Sequence, residues 1–297
     1  MSSLLFLLVL AAGPAFSESS YDVLKRLAKF GHRHAGAPRR AEAIALLTDS
    51  LKKSGLSVET RSFSSPDPRT GKPWAMTNVV GRVRPEAACR FLLGSHFDTR
   101  HVAEEDPDPA RRVRPIQGAN DGTSGVAVLL ALAPRLAKLL PPGVGADVVL
   151  FDGEEMGYPD VGAYCAGSNR YAADLPLKGR PKFGIILDMV CAPESVYKVE
   201  GNSMKAHPAL VEALWSLGAA REPAAFDRAR TIWIGDDHVP LSRAGVPSVL
   251  LIGYDYAHWH KSSDTVPRCS PKRLALIEGV LEDFIRTKLP QFLEGCR

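Results

Sequence analysis

Leu150-Phe151-Asp152-Gly153-Glu154-Glu155 runs the end of an apolar strand, begun at Asp147, straight into an acidic turn. Two adjacent carboxylates at the edge of a buried strand repel one another and lose hydration. That arrangement is costly unless a cation or a working proton uses it. A solvated turn is the bland alternative, so the weight rests on what else converges there.

The same pattern recurs along the chain. Phe91 to Leu93 is apolar and leads into Gly94-Ser95-His96-Phe97-Asp98-Thr99, where a period of two would put His96 and Asp98 on one side. An imidazole with a carboxylate neighbour is the usual arrangement of a metal ligand and the group that orients it, and Asp98 takes the orienting role. Gly118-Ala119-Asn120-Asp121-Gly122 opens a long helix, Ile185-Ile186-Leu187-Asp188 ends a third apolar strand, and His260 follows Val249 to Ile252 after a short loop. His96, Asp121, Glu155, Asp188 and His260 thus all stand at or just past the ends of expected elements, the edge at which open α/β sheets build their sites. A mixed nitrogen and oxygen set without cysteine suits zinc that keeps a coordination position open, the catalytic kind.

Elsewhere, strands alternate with helices. Helical patterns cover Tyr21 to Phe30 and Arg39 to Lys53, and a hairpin joins Leu56–Phe63 to Met76–Val83. After the strand at Phe91–Ser95 come a helix Gly122–Leu140, the strand Asp147–Phe151 and a helix Ser168–Asp174. Strands Phe183–Asp188 and Val196–Glu200, a helix Pro208–Gly218, a strand Thr231–Ile234, a helix Val239–Ala244, a strand Pro247–Ile252 and a helix Pro271–Leu289 complete the chain. The order predicts an α/β fold: one domain with a mostly parallel, mixed central sheet and helices on both faces. Thr99 to Gln117 is polar, carries three prolines and has no period, which predicts a lid, a binding loop or a mobile insertion.

Residues 1–17 read as a secretory signal, with an apolar core at Leu4–Ala12 and small residues at Ala15 and Ser17, although no Lys or Arg precedes the core. The mature domain is then 18–297, exported to the periplasm or secreted, with no stable membrane association once the signal is removed. The formal net charge of +4 is small and its Lys and Arg are scattered, so there is no electrostatic footprint for nucleic acid. Five cysteines, Cys89, Cys165, Cys191, Cys269 and Cys296, leave at least one thiol unpaired and give no pairing. Oligomeric state is not written in the chain.

Taken together, His96-Phe97-Asp98, Gly118-Ala119-Asn120-Asp121, Asp152-Gly153-Glu154-Glu155, Leu187-Asp188, Asp236-Asp237-His238-Val239-Pro240 and Trp259-His260 with Asp264 following resemble the zinc-dependent M28 peptidases and the animal-type glutaminyl cyclases that share their fold. The resemblance implies that Asp121, Glu155 and His260 bind one zinc, and that His96 and Asp188 could hold a second with Asp121 bridging. Glu154 becomes the general acid and base, with Asp236 and Asp188 the next candidates for proton transfer. Trp259 is expected at the wall of a small substrate pocket, against the bland alternative of a core tryptophan. Peptide or protein N-termini are the expected substrates. The Asp236–Pro240 stretch, the Trp259-His260 pair, the loop between Asp98 and Asp121 and the early hairpin lean toward a cyclase; Asn120-Asp121-Gly122 with Ser124-Gly125 leans toward an aminopeptidase. A non-catalytic binding protein on the same scaffold is the third alternative.

Overall fold

A computed structural model describes residues 18–296, so the expected signal segment lies outside the described residues. The chain opens with helices α1 (Ser20–Ala28) and α2 (Arg40–Lys53), then a hairpin of β1 (Ser57–Pro66) and β2 (Pro73–Val83). Next come β3 (Cys89–His96), α3 (Ser124–Leu139), β4 (Val144–Phe151), α4 (Ala166–Ala173) and β5 (Gly184–Asp188). β6 (Tyr197–Glu200), α5 (Gly201–Ala206), α6 (Pro208–Arg221), β7 (Phe226–Ile232), α7 (His238–Arg243), β8 (Ser248–Ile252), α8 (Pro271–Thr287) and α9 (Leu289–Phe292) follow.

Six strands form one mixed sheet in the order β1-β2-β4-β3-β5-β8. The hairpin and its junction with β4 are antiparallel, and β4, β3, β5 and β8 run parallel. Alternation assigns the two faces. Phe91, Leu93, Val148, Leu150, Ile185, Leu187, Val249 and Leu251 meet α1, α3 and α8, whereas Leu92, Val149, Phe151, Ile186, Leu250 and Ile252 meet Tyr171 of α4 and Leu241 of α7. Strands covered on both faces read as continuous apolar runs, which is why the sequence marks them clearly. α3 is buried along nearly all its length and takes its slot between sheet and outer helices with small and apolar side chains.

Beyond α5, which the sequence did not announce, two regions depart from expectation. The strand sought at Thr231–Ile234 instead spans Phe226–Ile232 and pairs with β6 in a separate two-stranded parallel sheet. Asp227, Arg228 and Arg230 are charged and the stretch is mostly solvent-facing, so it carries no apolar alternation, while Trp233 and Ile234 leave the strand altogether. The long loop from Thr99 to Gln117 is pinned: Ala103 donates to Arg112 O at 3.0 Å, Ile116 donates to Arg100 O at 3.1 Å, and the Asp106 carboxylate accepts from Ser262 N at 2.9 Å. Among the described residues no helix is long and apolar enough to cross a membrane.

Candidate metal centre

The parallel strands deliver their carboxyl ends to one edge. There His96 closes β3, Glu154 and Glu155 follow β4, Asp188 closes β5, His260 follows β8 and Asp121 precedes α3. The donor atoms of Asp121, Glu155 and His260 lie within 4.8 Å of one another, as do those of His96, Asp121 and Asp188, and all five residues are buried. His260 Nε2 is 3.3 Å from Glu155 Oε1 and 3.8 Å from Asp121 Oδ2. On the other side of Asp121, His96 Nε2 is 3.4 Å from Asp121 Oδ1 and 2.9 Å from Asp188 Oδ1. His258, the near competitor of His260, turns away to Ser263 Oγ at 2.8 Å.

Hydrogen bonding tests whether a cation fits. Both oxygens of Asp121 and Oε2 of Glu155 are buried and accept no hydrogen bond, although Arg100 Nη1 stands 3.4 Å from the latter. Asp121 is not the helix cap, since Thr123 occupies that place. Buried carboxylate oxygens without donors are rare because each forfeits hydration, and a divalent ion supplies what is missing. Carboxylate and imidazole donors without thiolate fit zinc.

The charges carry the same message. Burial, then Glu155 and Asp188, push the Asp121 carboxyl well above the ordinary range, and burial followed by Glu155 does the same to Glu154. Burial would raise Glu155 too, but His260 and Arg100 hold it low. These acids cannot all be ionised together without a cation among them. Asp236 rises to about 6 through burial and the nearby Asp188, and Asp237 rises through burial and Asp236. Asp236 and Asp188, the two further candidates for proton transfer, thus face each other as like charges.

Backbone-directed side chains fix the ligand turns. Asp98 accepts from Glu154 N at 3.1 Å and Glu155 N at 3.0 Å, so it orients the acidic turn as well as facing His96 Nδ1 at 3.7 Å. Asp264 accepts from Asn120 N at 2.9 Å and Asp121 N at 3.1 Å. Gly122 sits at φ +84°, and a Cβ there would stand 2.0 Å from Asp98 O, so only glycine lets the two ligand loops touch. Behind them the buried Arg33 donates Nε to Phe97 O at 2.9 Å and Nη2 to Gly122 O at 3.3 Å.

A cavity of about 260 Å³ opens beside the centre, reached by Glu154, Asp188 and Asp236 and walled by Trp233, Tyr254 and Trp259. Trp259 stacks on His260 with ring centroids 3.9 Å apart, and it lines the cavity rather than filling the core. Trp233, 60% exposed, and Tyr254 were not singled out in the sequence. Trp233 lies in the apolar run Ile232-Trp233-Ile234 that reads as strand, and Tyr254 follows β8 in a loop, so neither carries a local sign of a cavity wall. Arg100 and Glu104, which reach His260 from the long loop, gave no signal either.

Residues 78–285 match the model of Peptidase family M28. A glutaminyl-peptide cyclotransferase of Drosophila melanogaster is 26% identical over 263 residues, covering 78% of this chain and 71% of that protein. The crystal structure of Porphyromonas gingivalis glutaminyl cyclase superposes with a TM-score of 0.84 at 30% identity, over 90% of this chain and 96% of that one. A Zn-dependent exopeptidase from Parabacteroides distasonis superposes with a TM-score of 0.85 at 26% identity, over 93% of this chain and 100% of that one. With well over half of its length matched by the family model and all five candidate ligands inside the match, the chain belongs to peptidase family M28.

Proposed function

We propose that this chain is a zinc-dependent glutaminyl-peptide cyclotransferase that converts the N-terminal Gln of peptides or proteins to pyroglutamate and releases ammonia. One observation carries the choice over hydrolysis. Both oxygens of Asp121 and Oε2 of Glu155 are orphaned, and His260 pairs with Glu155 only loosely at 3.3 Å while His96 pairs with Asp188 at 2.9 Å. Such asymmetry favours one zinc, held by Asp121, Glu155 and His260. A cyclase needs no second ion, because its nucleophile arrives on the substrate. The relatives that are glutaminyl cyclases support the same choice.

Bound zinc supplies a Lewis acid that polarises the substrate's γ-carbonyl. The chain's own groups supply positioning and proton transfer. Trp233, Tyr254 and Trp259 enclose the glutamine side chain in a partly dry cavity. Glu154 reaches that cavity with a carboxyl whose burial favours proton uptake. It takes the proton lost by the α-amine as the N–Cδ bond forms and returns it to the amide nitrogen as the Cδ–Nε2 bond breaks and ammonia leaves. Asp236, beside the same cavity, is the reserve proton site.

Aminopeptidase activity is the second reading, favoured by the complete second trio of His96, Asp121 and Asp188 and by the exopeptidase neighbour. A paired assay separates them: ammonia release from a peptide with N-terminal Gln is expected, with little free amino acid from peptides with N-terminal Leu. The reverse outcome makes the chain an aminopeptidase, and bound zinc with neither product makes it a binding protein. We also infer export, on the apolar stretch Leu4–Ala12 and on two disulfides, bonds that persist in oxidising compartments.

A further inference from the structure

We propose that Glu104, clamped by Arg100, is the positioning residue that makes His260 a competent zinc ligand. The inference rests on the zinc reading for Asp121, Glu155 and His260 given above. Glu104 Oε1 lies 2.9 Å from His260 Nδ1. A carboxylate can only accept there, so Nδ1 carries the proton, and with zinc held between Asp121 and Glu155 the Nε2 lone pair is the one left to bind it. A negative partner on Nδ1 also makes Nε2 the better donor.

Glu104 is itself fixed. Arg100, fully buried, donates Nε to Glu104 Oε1 at 2.9 Å and to Oε2 at 3.1 Å. The same guanidinium donates Nη1 to Glu155 O at 2.7 Å and to Gly157 O at 2.8 Å. One rigid fork therefore registers His260 and Glu155, ligands from loops 105 positions apart, against each other.

His260 needs this support. Its backbone sits at φ +50°, in the left-handed region that side chains other than glycine seldom adopt. The loop secures that backbone as well, through Glu105 N donating to His260 O at 3.3 Å, while Trp259 restricts the ring by stacking. The segment from Thr99 to Gln117 thus acts as a brace for the metal centre and not as a lid.

The test measures zinc affinity by chelator competition, and apo and zinc-loaded melting, for the wild type, Glu104→Gln, Glu104→Ala and the exposed neighbour Glu105→Ala. Glu104→Gln keeps an acceptor for both Arg100 and Nδ1 but loses the charge. Zinc affinity is expected to fall about 10 to 100-fold in Glu104→Ala and by an intermediate factor in Glu104→Gln. Glu105→Ala stays at the wild-type value, and the Gln variant's apo melting temperature is kept while its zinc-induced rise shrinks. Affinity within about threefold of wild type for folded Glu104→Gln overturns the proposal, and that variant decides alone if Glu104→Ala does not fold. A wild type that binds no zinc refutes the zinc reading instead, before any variant is compared.

Discussion

Glu154 is held from three directions. Asp98 fixes its backbone, the Cys165 thiol donates to its Oε1 at 3.2 Å, and its neighbour Glu155 is turned to the candidate ligands. A group so placed can move a proton without ligating metal. Glu154→Gln is therefore expected to keep zinc and substrate binding while kcat drops roughly 10²- to 10⁴-fold. Zinc content and kcat measured together check this; turnover within about threefold of wild type would pass the role to Asp236 or Asp188. At this scale the candidate acidic and histidine ligands were legible because each stands at or near the end of an apolar element, where an ionisable group demands a reason. Arg33, Arg100, Glu104 and Trp233 were not. Arg33 meets its carbonyls 64 and 89 positions away and Glu104 meets His260 156 positions away, so no local pattern marks them.

The junction of β6, α5 and α7 depends on one carboxylate. Glu200 caps α5 by accepting from Asn202 N at 2.9 Å and Ser203 N at 2.7 Å, and it meets His238 Nε2 of α7 at 2.8 Å. It also accepts from Ile234 N at 3.3 Å, which ties in the cavity wall that carries Trp233. Burial alone would raise its carboxyl, but His238 and those N–H groups hold it at about 2, against an ordinary 4.5. A depressed carboxyl contributes stability that is complete above the unfolded value and is lost as pH falls through the folded one. The window is therefore about pH 4.5 down to about 2, and the contribution is on the order of 3 kcal/mol. Glu200→Gln is expected to unfold in urea with about 2–3 kcal/mol less stability at neutral pH, and the gap to wild type should narrow measurably by about pH 3.5. An equal gap at both pH values would refute the charge as its source. α5 went unread because glutamate is not a usual N-cap, and β7 because its exposed side chains lack a period.

Two disulfides tie the molecule across long distances: Cys89 at the start of β3 to Cys296, and Cys191 after β5 to Cys269 ahead of α8. Loops of 207 and 78 positions place the chain-entropy contribution at about 5.4 and about 4.5 kcal/mol. Cys165 stays reduced, buried against Glu154. Intact-mass analysis of exported protein is expected to find a chain beginning at Glu18 with two bonds and one thiol; a mass that retains Met1 would refute the signal. The order of layers could be read in advance because four buried parallel strands announce themselves by continuous apolar runs. The disulfide pairs could not, since pairing follows from which ends the finished fold brings together. Arg33 carries a last consequence. It lies well ahead of residue 78, where the family match begins, yet its guanidinium supplies donors to Phe97 O and Gly122 O directly behind two ligand turns. A graft limited to the matched span would lose both of those donors. The smallest portable unit of this catalyst therefore starts ahead of α2, with a residue that never touches the chemistry.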